Sequence, residues 1–283
     1  MPDMDTLPPL RDVIASLGLS AKKSFGQNFL LDFNLTRRIA RASGKLDGFT
    51  VIEIGPGPGG LTRALFMEGA RQVVVVESDP RFKPVLSAIS DTYPGRLCVL
   101  MGDALKTPLE NHIDGPCVII ANLPYNVATA LLINWLKTEP WPPWFERMTL
   151  MFQKEVAARI VAEPGQKAYG RLSVLSNFRC HTQTLFDINP KAFTPAPKVT
   201  STLVELIPKT PLVGAPDIGD LEAVTQAAFS QRRKMLRSSL KTIFPRPLEI
   251  LKLAEIEPDW RAEQVDLAGF CRLAHQLCQV KIG

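Results

Sequence analysis

Short uninterrupted runs of apolar residues recur along residues 50–153, separated by stretches with helical periodicity. The runs do not alternate with polar residues, which is the pattern of strands buried on both faces of a mainly parallel sheet. The runs predicted as strands are 50–54, 72–77, 97–101, 116–121 and 147–153. Three more, near 172–180, 183–188 and 202–207, lack full helical crossovers, which indicates an antiparallel edge. Residues 22–207 are therefore predicted to form a doubly wound, Rossmann-like α/β domain.

The segments on either side of this domain have other patterns. Residues 1–21 are predicted to form an arm with one short amphipathic helix around Val13 and Ile14. Residues 208–217, PKTPLVGAPD, are rich in proline and typical of a linker. The periodicity beyond it predicts helices over 221–241, near 248–254 and over 267–280. We therefore expect a smaller, all-helical C-terminal domain over residues 208–283.

The composition and charge of the chain restrict the classes of function it can have. The chain has 283 residues and a net charge of +5, from 33 lysines and arginines against 28 acids, which mildly favours an anionic partner such as nucleic acid. Its five cysteines are scattered and its three histidines lack ligand spacing, so we expect reduced thiols in the cytosol and no metal site. We find no signal peptide, transit peptide or apolar run of about 18 residues, so no membrane partner is expected.

The first predicted strand runs into a glycine-rich turn and then a helical pattern, VIEIGPGPGGLT at 51–62. A strand, a glycine turn and a helix in this order form the first half of a nucleotide-binding βαβ unit. Gly55 and Gly57 let the backbone adopt angles closed to other residues and let a ligand lie against it. The spacing to Gly60 also fits a dinucleotide fingerprint, and a purely structural turn remains an alternative.

Polar groups follow the next two strands at the edge where such sheets bind ligands. Glu77 comes about 20 residues after the glycine turn, where an acid that binds ribose hydroxyls is expected. Asp103 follows the third strand and is placed to accept from an adenine amino group. As single acids after strands, both also fit an ordinary role in a cap or a turn.

The fourth strand ends in Asn122-Leu123-Pro124-Tyr125, which favours amine methylation over hydride transfer. An adenine N6 amine is a poor nucleophile because its lone pair is delocalised into the ring. The Asn122 side-chain oxygen and the Leu123 carbonyl are suited to accept its two N–H bonds and favour a tetrahedral nitrogen. Tyr125 offers a face on which an extruded base stacks. A plain Asx-Pro turn with a buried tyrosine is the alternative.

Together these motifs resemble the S-adenosylmethionine-dependent ribosomal RNA adenine N6-dimethyltransferases, most closely the bacterial small-subunit (16S) enzymes of the KsgA/RsmA family. The resemblance covers nearly the whole chain beyond about residue 20. Besides the motifs above, the segments that carry it are GDAL (102–105), KSFGQNFL (23–30), MFQKEVAARI (151–160), YGRLSVL (169–175), FTPAPKVTS (193–201) and FSQRRKMLRSSL (229–240). It implies S-adenosylmethionine as cofactor and dimethylation of two adjacent adenosines in the terminal hairpin of 16S rRNA.

The resemblance also implies roles for individual residues. The cofactor contacts expected from it and from the glycine turn are Asn28, Leu30, Gly55, Gly57, Glu77, Asp103 and Asn122. Asn122 and Leu123 would orient the amine, and Tyr125 and Phe193 would stack on the target base. The implied partner is 16S rRNA in the immature small subunit, and we expect a cytoplasmic monomer.

A basic stretch supports an RNA partner independently. Between residues 225 and 246 there are six cations and no acid. One helix over 221–241 is expected to bury Phe229, Leu236 and Leu240 and to carry the cations along its flank. A charge run is usually a solvated face, but the absence of acids favours phosphate contact. The expected RNA-binding residues are Arg232, Arg233, Lys234, Arg237 and Lys241.

Alternative functions stay open at this point. A large-subunit rRNA methylase of the antibiotic-resistance type is disfavoured by the long helical C-terminal domain. A mitochondrial relative that acts in transcription would need a transit peptide, and an oxidoreductase would need a catalytic His or Tyr-Lys pattern. A mainly non-catalytic ribosome-assembly factor is compatible with the same sequence.

Overall fold

The computed structural model describes residues 7–16, 18, 27–211 and 213–282. The strands in this part of the chain are β1 Phe29–Leu30, β2 Thr50–Ile54, β3 Gln72–Glu77, β4 Leu97–Met101, β5 Cys117–Ala121, β6 Arg147–Gln153, β7 Cys180–Ile188, β8 Phe193–Thr194 and β9 Ser201–Pro208. The helices are α1 Leu10–Ser16, α2 Phe33–Ala42, α3 Gly60–Met67, α4 Lys83–Thr92, α5 Tyr125–Leu136, α6 Lys154–Val161, α7 Arg171–Arg179, α8 Ile218–Phe229, α9 Leu236–Ser239, α10 Pro247–Leu253 and α11 Leu267–Ile282.

Seven of the strands form one sheet in the order β4-β3-β2-β5-β6-β9-β7, and β1 pairs with β8 in a separate antiparallel ribbon. β4, β3, β2, β5 and β6 are parallel, and β9 runs antiparallel to β6. The order reverses between β2 and β5, which is the point where doubly wound sheets bind ligands. The doubly wound class, the first five predicted strands and the antiparallel edge are thus confirmed.

The central strands explain why their sequence pattern does not alternate. All residues of β2 and of β5 are buried, because helices cover both faces of the sheet. Each valine or isoleucine buried in this way contributes roughly 1.5–3 kcal/mol through removal of apolar surface from water. Helix α2 begins after Asp32, whose side chain accepts from the N–H groups of Asn34 and Leu35.

Two predicted elements are wrong. The prediction for residues 172–180 is a strand, but they form helix α7, whose first turn closes when Gly170 N–H donates to the Ser173 hydroxyl. The single helix predicted over 221–241 ends at Phe229, and a turn separates it from the short α9. Both segments bond to side chains and backbone groups far along the chain. The periodicity of the sequence alone does not indicate these distant contacts.

The chain folds as two compact units. The first contains residues 1–134, 143–157 and 183–207, and the second contains 135–142, 158–182 and 208–283. In the second unit the Tyr169 hydroxyl donates to the Val265 carbonyl at 3.0 Å, and Arg171 pairs with Glu222. A segment that precedes the predicted linker, residues 158–182, therefore has partners beyond it. The boundaries 1–21, 22–207 and 208–283 stay a prediction, and residues 1–6 and 19–26 lie outside the described part.

Within the described residues, no helix has the length and apolar character needed to cross a bilayer.

Candidate active site

A cavity opens at the carboxyl ends of β2, β3, β4 and β5 in the first unit. It lies where the strand order reverses, and the segment before β1 also lines it. The sequence-predicted site residues that the structure brings together here are Asn28, Gly55, Gly57, Glu77, Asp103, Asn122, Leu123 and Tyr125.

The glycine turn after β2 brings bare backbone to this cavity. Gly55 and Gly57 have φ values of 68° and 53°, in the left-handed region that side chains rarely adopt. A Cβ on Gly57 would also lie 3.3 Å from the ring of Phe29. Helix α3 then begins at Gly60, and its first N–H groups have no partner within the helix.

Glu77 ties the glycine turn to the end of β3. Its Oε2 accepts from the Gly57 N–H at 3.1 Å, and its Oε1 accepts from the Asp79 N–H at 2.8 Å. Burial raises the pKa of this carboxyl, and the same backbone N–H groups oppose that rise. A carboxylate has about four acceptor positions, so about two remain for a ligand. Two acceptor positions suit the two vicinal hydroxyls of a ribose.

The loop after Glu77 is fixed by an ion pair that sequence reasoning did not single out. A hydrogen bond from Arg81 lowers the pKa of the buried Asp79 carboxyl to about 2. Gln27 Nε2 donates to Asp79 Oδ2 at 2.9 Å. The segment that precedes β1 is therefore held against the loop that follows β3, at the rim of the cavity.

Asp103 combines a turn role with a free acceptor. Its Oδ1 accepts from the Leu105 N–H at 3.0 Å, and its carbonyl accepts from the Lys106 and Thr107 N–H groups. The other carboxylate oxygen has no hydrogen-bond partner among the described residues, and the side chain is exposed at the cavity. The turn role and the ligand role that the sequence left open do not exclude each other.

Asn122 lies directly after β5 with its amide held by the backbone of another segment. Its Nδ2 donates to the Asn28 carbonyl at 3.2 Å, which leaves Oδ1 as an acceptor at the cavity. Leu123 is buried, and helix α5 begins at Tyr125. The Tyr125 hydroxyl is hydrogen-bonded to Ser201 Oγ on β9, and burial raises the pKa of its phenol. The phenol therefore stays neutral at physiological pH.

Glu53 is a buried acid beside the cavity that sequence reasoning did not single out. It lies in the middle of β2, is 2% exposed, and accepts from the Thr62 hydroxyl at 2.6 Å. Burial raises the pKa of Glu53 to about 8, with a smaller contribution from Glu77 in the same direction. The carboxyl is thus mainly protonated at neutral pH. The signal was present in the sequence, since an acid inside a fully buried strand needs an explanation.

Leu30 and Phe193 face each other in the β1–β8 ribbon. Leu30 lines a smaller cavity together with Asn28, Gly55 and Asn122. Phe193 is 3% exposed and lines neither cavity. The stacking role of Phe193 stays a prediction. For the ring to contact a base, it would have to leave its buried position in the ribbon.

The predicted RNA-binding cations lie in the second unit and fall into two groups. Arg232, Arg233 and Lys234 occupy the turn after α8, and Arg237 lies in α9. Three arginines of this stretch pair with acids from later in the chain. Arg232 pairs with Glu263, Arg237 with Asp259 and Arg246 with Glu249. Arg233, Lys234 and Lys241 are exposed and have no acidic partner among the described residues. The acid-free stretch of the sequence is therefore partly neutralised in the fold.

Among the described residues, no group of three or more His, Cys, Asp or Glu side chains is placed to hold a metal ion.

Known protein sequences share most of this chain. A family model described as ribosomal RNA adenine dimethylase matches residues 18–279. A protein of Xanthobacter autotrophicus named ribosomal RNA small subunit methyltransferase A is 58% identical over 285 residues, covering 100% of this chain and 98% of that protein. A protein of the same name from Allorhizobium ampelinum is 56% identical, covering 98% of this chain and 100% of its own length.

Two solved structures share the fold. A dimethyladenosine transferase from Plasmodium falciparum superposes with a TM-score of 0.71 at 25% identity, covering 87% of this chain and 96% of that one. The 23S rRNA methyltransferase ErmE superposes with a TM-score of 0.64 at 25% identity, covering 89% and 100%.

Proposed function

The chain belongs to the ribosomal RNA adenine dimethylase family, and on that basis we propose that it dimethylates N6 of two adjacent adenosines in the 3′-terminal hairpin of 16S rRNA, with S-adenosylmethionine as methyl donor. One observation carries the proposal. The Asn122 Oδ1 acceptor and the Tyr125 ring line the same cavity as the glycine turn and Glu77. An amine-orienting group and a nucleoside-binding group thus share one site.

The residues of the cavity fit S-adenosylmethionine. Glu77 keeps about two acceptor positions for ribose hydroxyls, and the free oxygen of Asp103 suits an adenine amino group. Gly55 and Gly57 place backbone without side chains at the cavity, where a ligand can lie against it. Asn28, Leu30 and Asn122 line the adjoining smaller cavity.

The chain contributes orientation to the reaction. When bound, S-adenosylmethionine supplies a methyl group whose bond to sulfur breaks as the N6 lone pair forms the new N–C bond. Asn122 Oδ1 and the Leu123 carbonyl accept the two N–H bonds of the amine, which directs its lone pair toward the methyl group. The ring of Tyr125 holds the base by stacking. The proton leaves N6 after transfer, so no general base is needed beforehand.

The RNA is held mainly by cations outside this cavity. Arg233, Lys234 and Lys241 carry the phosphate contacts, since they lack acidic partners among the described residues, and Arg232 and Arg237 contribute less. The substrate is 16S rRNA in the immature small subunit, and the enzyme acts as a cytoplasmic monomer.

A second candidate is a large-subunit rRNA adenine methyltransferase, because the ErmE structure has this fold at 25% identity. The much higher identity to small-subunit methyltransferases, 58% over the whole chain, favours 16S rRNA. A mainly non-catalytic assembly factor is the third, and only an activity measurement separates it from the enzyme.

The test is to incubate the protein with unmethylated small and large ribosomal subunits and deuterated S-adenosylmethionine. Mass spectrometry of nuclease fragments is expected to find two labelled methyl groups on each of two adjacent adenosines in the 16S terminal hairpin. Label confined to 23S rRNA would support the second candidate. RNA binding without any label would support the third.

A further inference from the structure

A buried hydroxyl pair joins the amine-orienting turn to a distant strand. The Tyr125 hydroxyl, at the start of α5, lies 2.5 Å from the Oγ of Ser201, the first residue of β9. Ser201 is completely buried, whereas Tyr125 is half-buried and its side chain lines the cavity. The hydroxyl end of the ring is therefore anchored in the protein, and the rest of the ring borders the site.

The position of Ser201 is itself fixed on both sides. Before it, the Thr200 carbonyl accepts from the Lys154 N–H at 2.9 Å. After it, the Thr202 hydroxyl donates to Asp187 Oδ1 at 2.6 Å, and Lys154 Nζ donates to Asp187 Oδ2 at 2.6 Å. Ser201 is also in register with Gln153 across the antiparallel β6–β9 pair. Anchored in this way, Ser201 offers Tyr125 a partner that does not move with the turn.

We propose that Ser201 is a positioning residue for methyl transfer, which holds the ring of Tyr125 in the plane that the target adenine stacks on. The inference rests on the proposed function, since it requires Tyr125 to contact the base. A ring without an anchored hydroxyl rotates about its side-chain bonds, and the base that follows it loses its alignment with the methyl group. Small misplacements of reacting atoms are costly, because rate depends steeply on their geometry.

The expected signature is a change in turnover with little change in binding. Ser201→Ala removes the partner and leaves the ring, so kcat for 16S rRNA should fall about tenfold or more. The KM for RNA should change less than about twofold, because phosphate contacts dominate RNA affinity. Affinity for S-adenosylhomocysteine, measured by calorimetry, should stay within about twofold, because Ser201 does not line the cofactor cavity.

A double-mutant cycle tests the pairing directly. Tyr125→Phe keeps the ring and removes its hydroxyl, so it breaks the same bond from the other end. If the bond is what positions the ring, the double variant should lose no more kcat than the more impaired single variant. Multiplied losses in the double variant, or a Ser201→Ala enzyme with wild-type kcat, would overturn the proposal.

Ser43→Ala is the matched control. Ser43 is also buried, and its hydroxyl also accepts from a side chain, Arg147 Nε at 3.1 Å, but it does not line the cavity. The kcat losses of Ser43→Ala and Tyr125→Phe should therefore multiply when the two substitutions are combined. If wild-type protein methylates 16S rRNA and the cycle is additive, only the role of Ser201 fails. If wild-type protein methylates no rRNA, the proposed function fails, and the inference fails with it.

Discussion

Two buried carboxyl groups beside the glycine turn have different hydrogen-bond partners, and burial raises the pKa of both. Glu77 accepts from two backbone N–H groups, whereas Glu53 accepts only from the Thr62 hydroxyl among the described residues. A carboxylate with little hydrogen bonding in a dry site is costly, so Glu53 retains its proton. The strand that leads into the glycine turn thus carries an acid that is mainly protonated at neutral pH.

Glu53→Gln should remove a pH dependence of stability. The folded-state pKa of Glu53 is about 8 against an ordinary value of 4.5, so the folded state keeps a proton that the unfolded state loses. The free energy of unfolding should therefore fall between about pH 4.5 and pH 8, by up to about 1.4 kcal/mol per pH unit. Glutamine stays neutral and still accepts from Thr62, so the variant should lack this fall.

Denaturant unfolding of both proteins across that pH range measures the difference. Glu110→Gln, at an exposed site, is the control for the removal of a carboxyl. A constant difference between wild type and Glu53→Gln from about pH 5 to about pH 8 would show that Glu53 is ionised in the folded protein.

Asn122→Ala should separate binding from chemistry. The alanine variant loses the acceptor for the amine and should lose most methyl transfer, about 100-fold or more, while S-adenosylhomocysteine affinity changes less than about tenfold. Asn122→Asp keeps an acceptor but loses the donor to the Asn28 carbonyl, so it tests whether that bond orients the side chain. Single-turnover kinetics and calorimetry are the measurements. Near-normal turnover of the alanine variant would assign the amine to another residue.

At the scale of elements, the glycine turn, β1 and α3 form one tightly packed junction. A Cβ on Gly60 would lie 2.8 Å from the Leu30 carbonyl oxygen and 2.8 Å from Leu10 Cδ1. The first of these neighbours is backbone, which does not move aside as a side chain does. The start of α3 is therefore fixed relative to the segment that carries Asn28 and Leu30.

Gly60→Ala should consequently disturb both folding and cofactor binding. Overpacking at a close contact costs on the order of 1–3 kcal/mol, and the displaced turn should weaken cofactor affinity about tenfold or more. Gly170→Ala is the control, because nothing lies within 4 Å of its Cβ position. Thermal unfolding and calorimetry measure both effects. Equal behaviour of the two variants would mean that the junction adapts.

The sequence predicts well those elements whose pattern follows from burial alone. β2, β3, β4 and β6 begin and end where the sequence predicts, and β2, β3 and β6 are buried over nearly their whole length, as strands covered on both faces are. The sequence of α7 predicts a strand instead. The segment is only nine residues long, and its polar and apolar residues are mixed. The segment is helical partly because the Ser173 hydroxyl donates to the Arg159 carbonyl. The local pattern of apolar and polar residues does not indicate this contact.

The same limit applies to the site. The position of Glu77, Asp103 and Asn122 at the cavity was predictable because each lies at or just after the carboxyl end of a strand. The Ser201 partner of Tyr125 lies 76 residues away and was not predictable from spacing. Nor were the acids that pair with Arg232 and Arg237, since local charge counting does not include distant residues.

At the scale of the whole molecule, the net charge of +5 matters less than which cations are free to meet phosphate. Exposed ion pairs contribute little to stability, but each one cancels a charge at the surface. Glu263, Asp259 and Glu249 cancel part of the field of the basic stretch in this way.

Replacing Arg233, Lys234 and Lys241 with glutamine should weaken RNA binding and flatten its dependence on salt. The slope of log affinity against log salt should fall by up to about 2–3, at roughly 0.7–0.9 for each phosphate that is no longer neutralised. The control replaces Arg232, Arg237 and Arg246, which removes the same charge from paired cations, and should change the slope by less than half as much. RNA dissociation constants at several salt concentrations measure both. Equal slopes for the two variants would mean that pairing does not select the RNA-binding residues.

The alternation of the two units along the chain has a consequence for how the protein is made. Tyr169 cannot donate to the Val265 carbonyl until that residue is synthesised, 96 residues later. At about 5–20 residues per second on the ribosome, that delay is roughly 5–20 s. During this time residues 158–182 lack the partners that bury them in the finished protein. This segment therefore reaches its final packing only after strands that follow it in the chain have been synthesised.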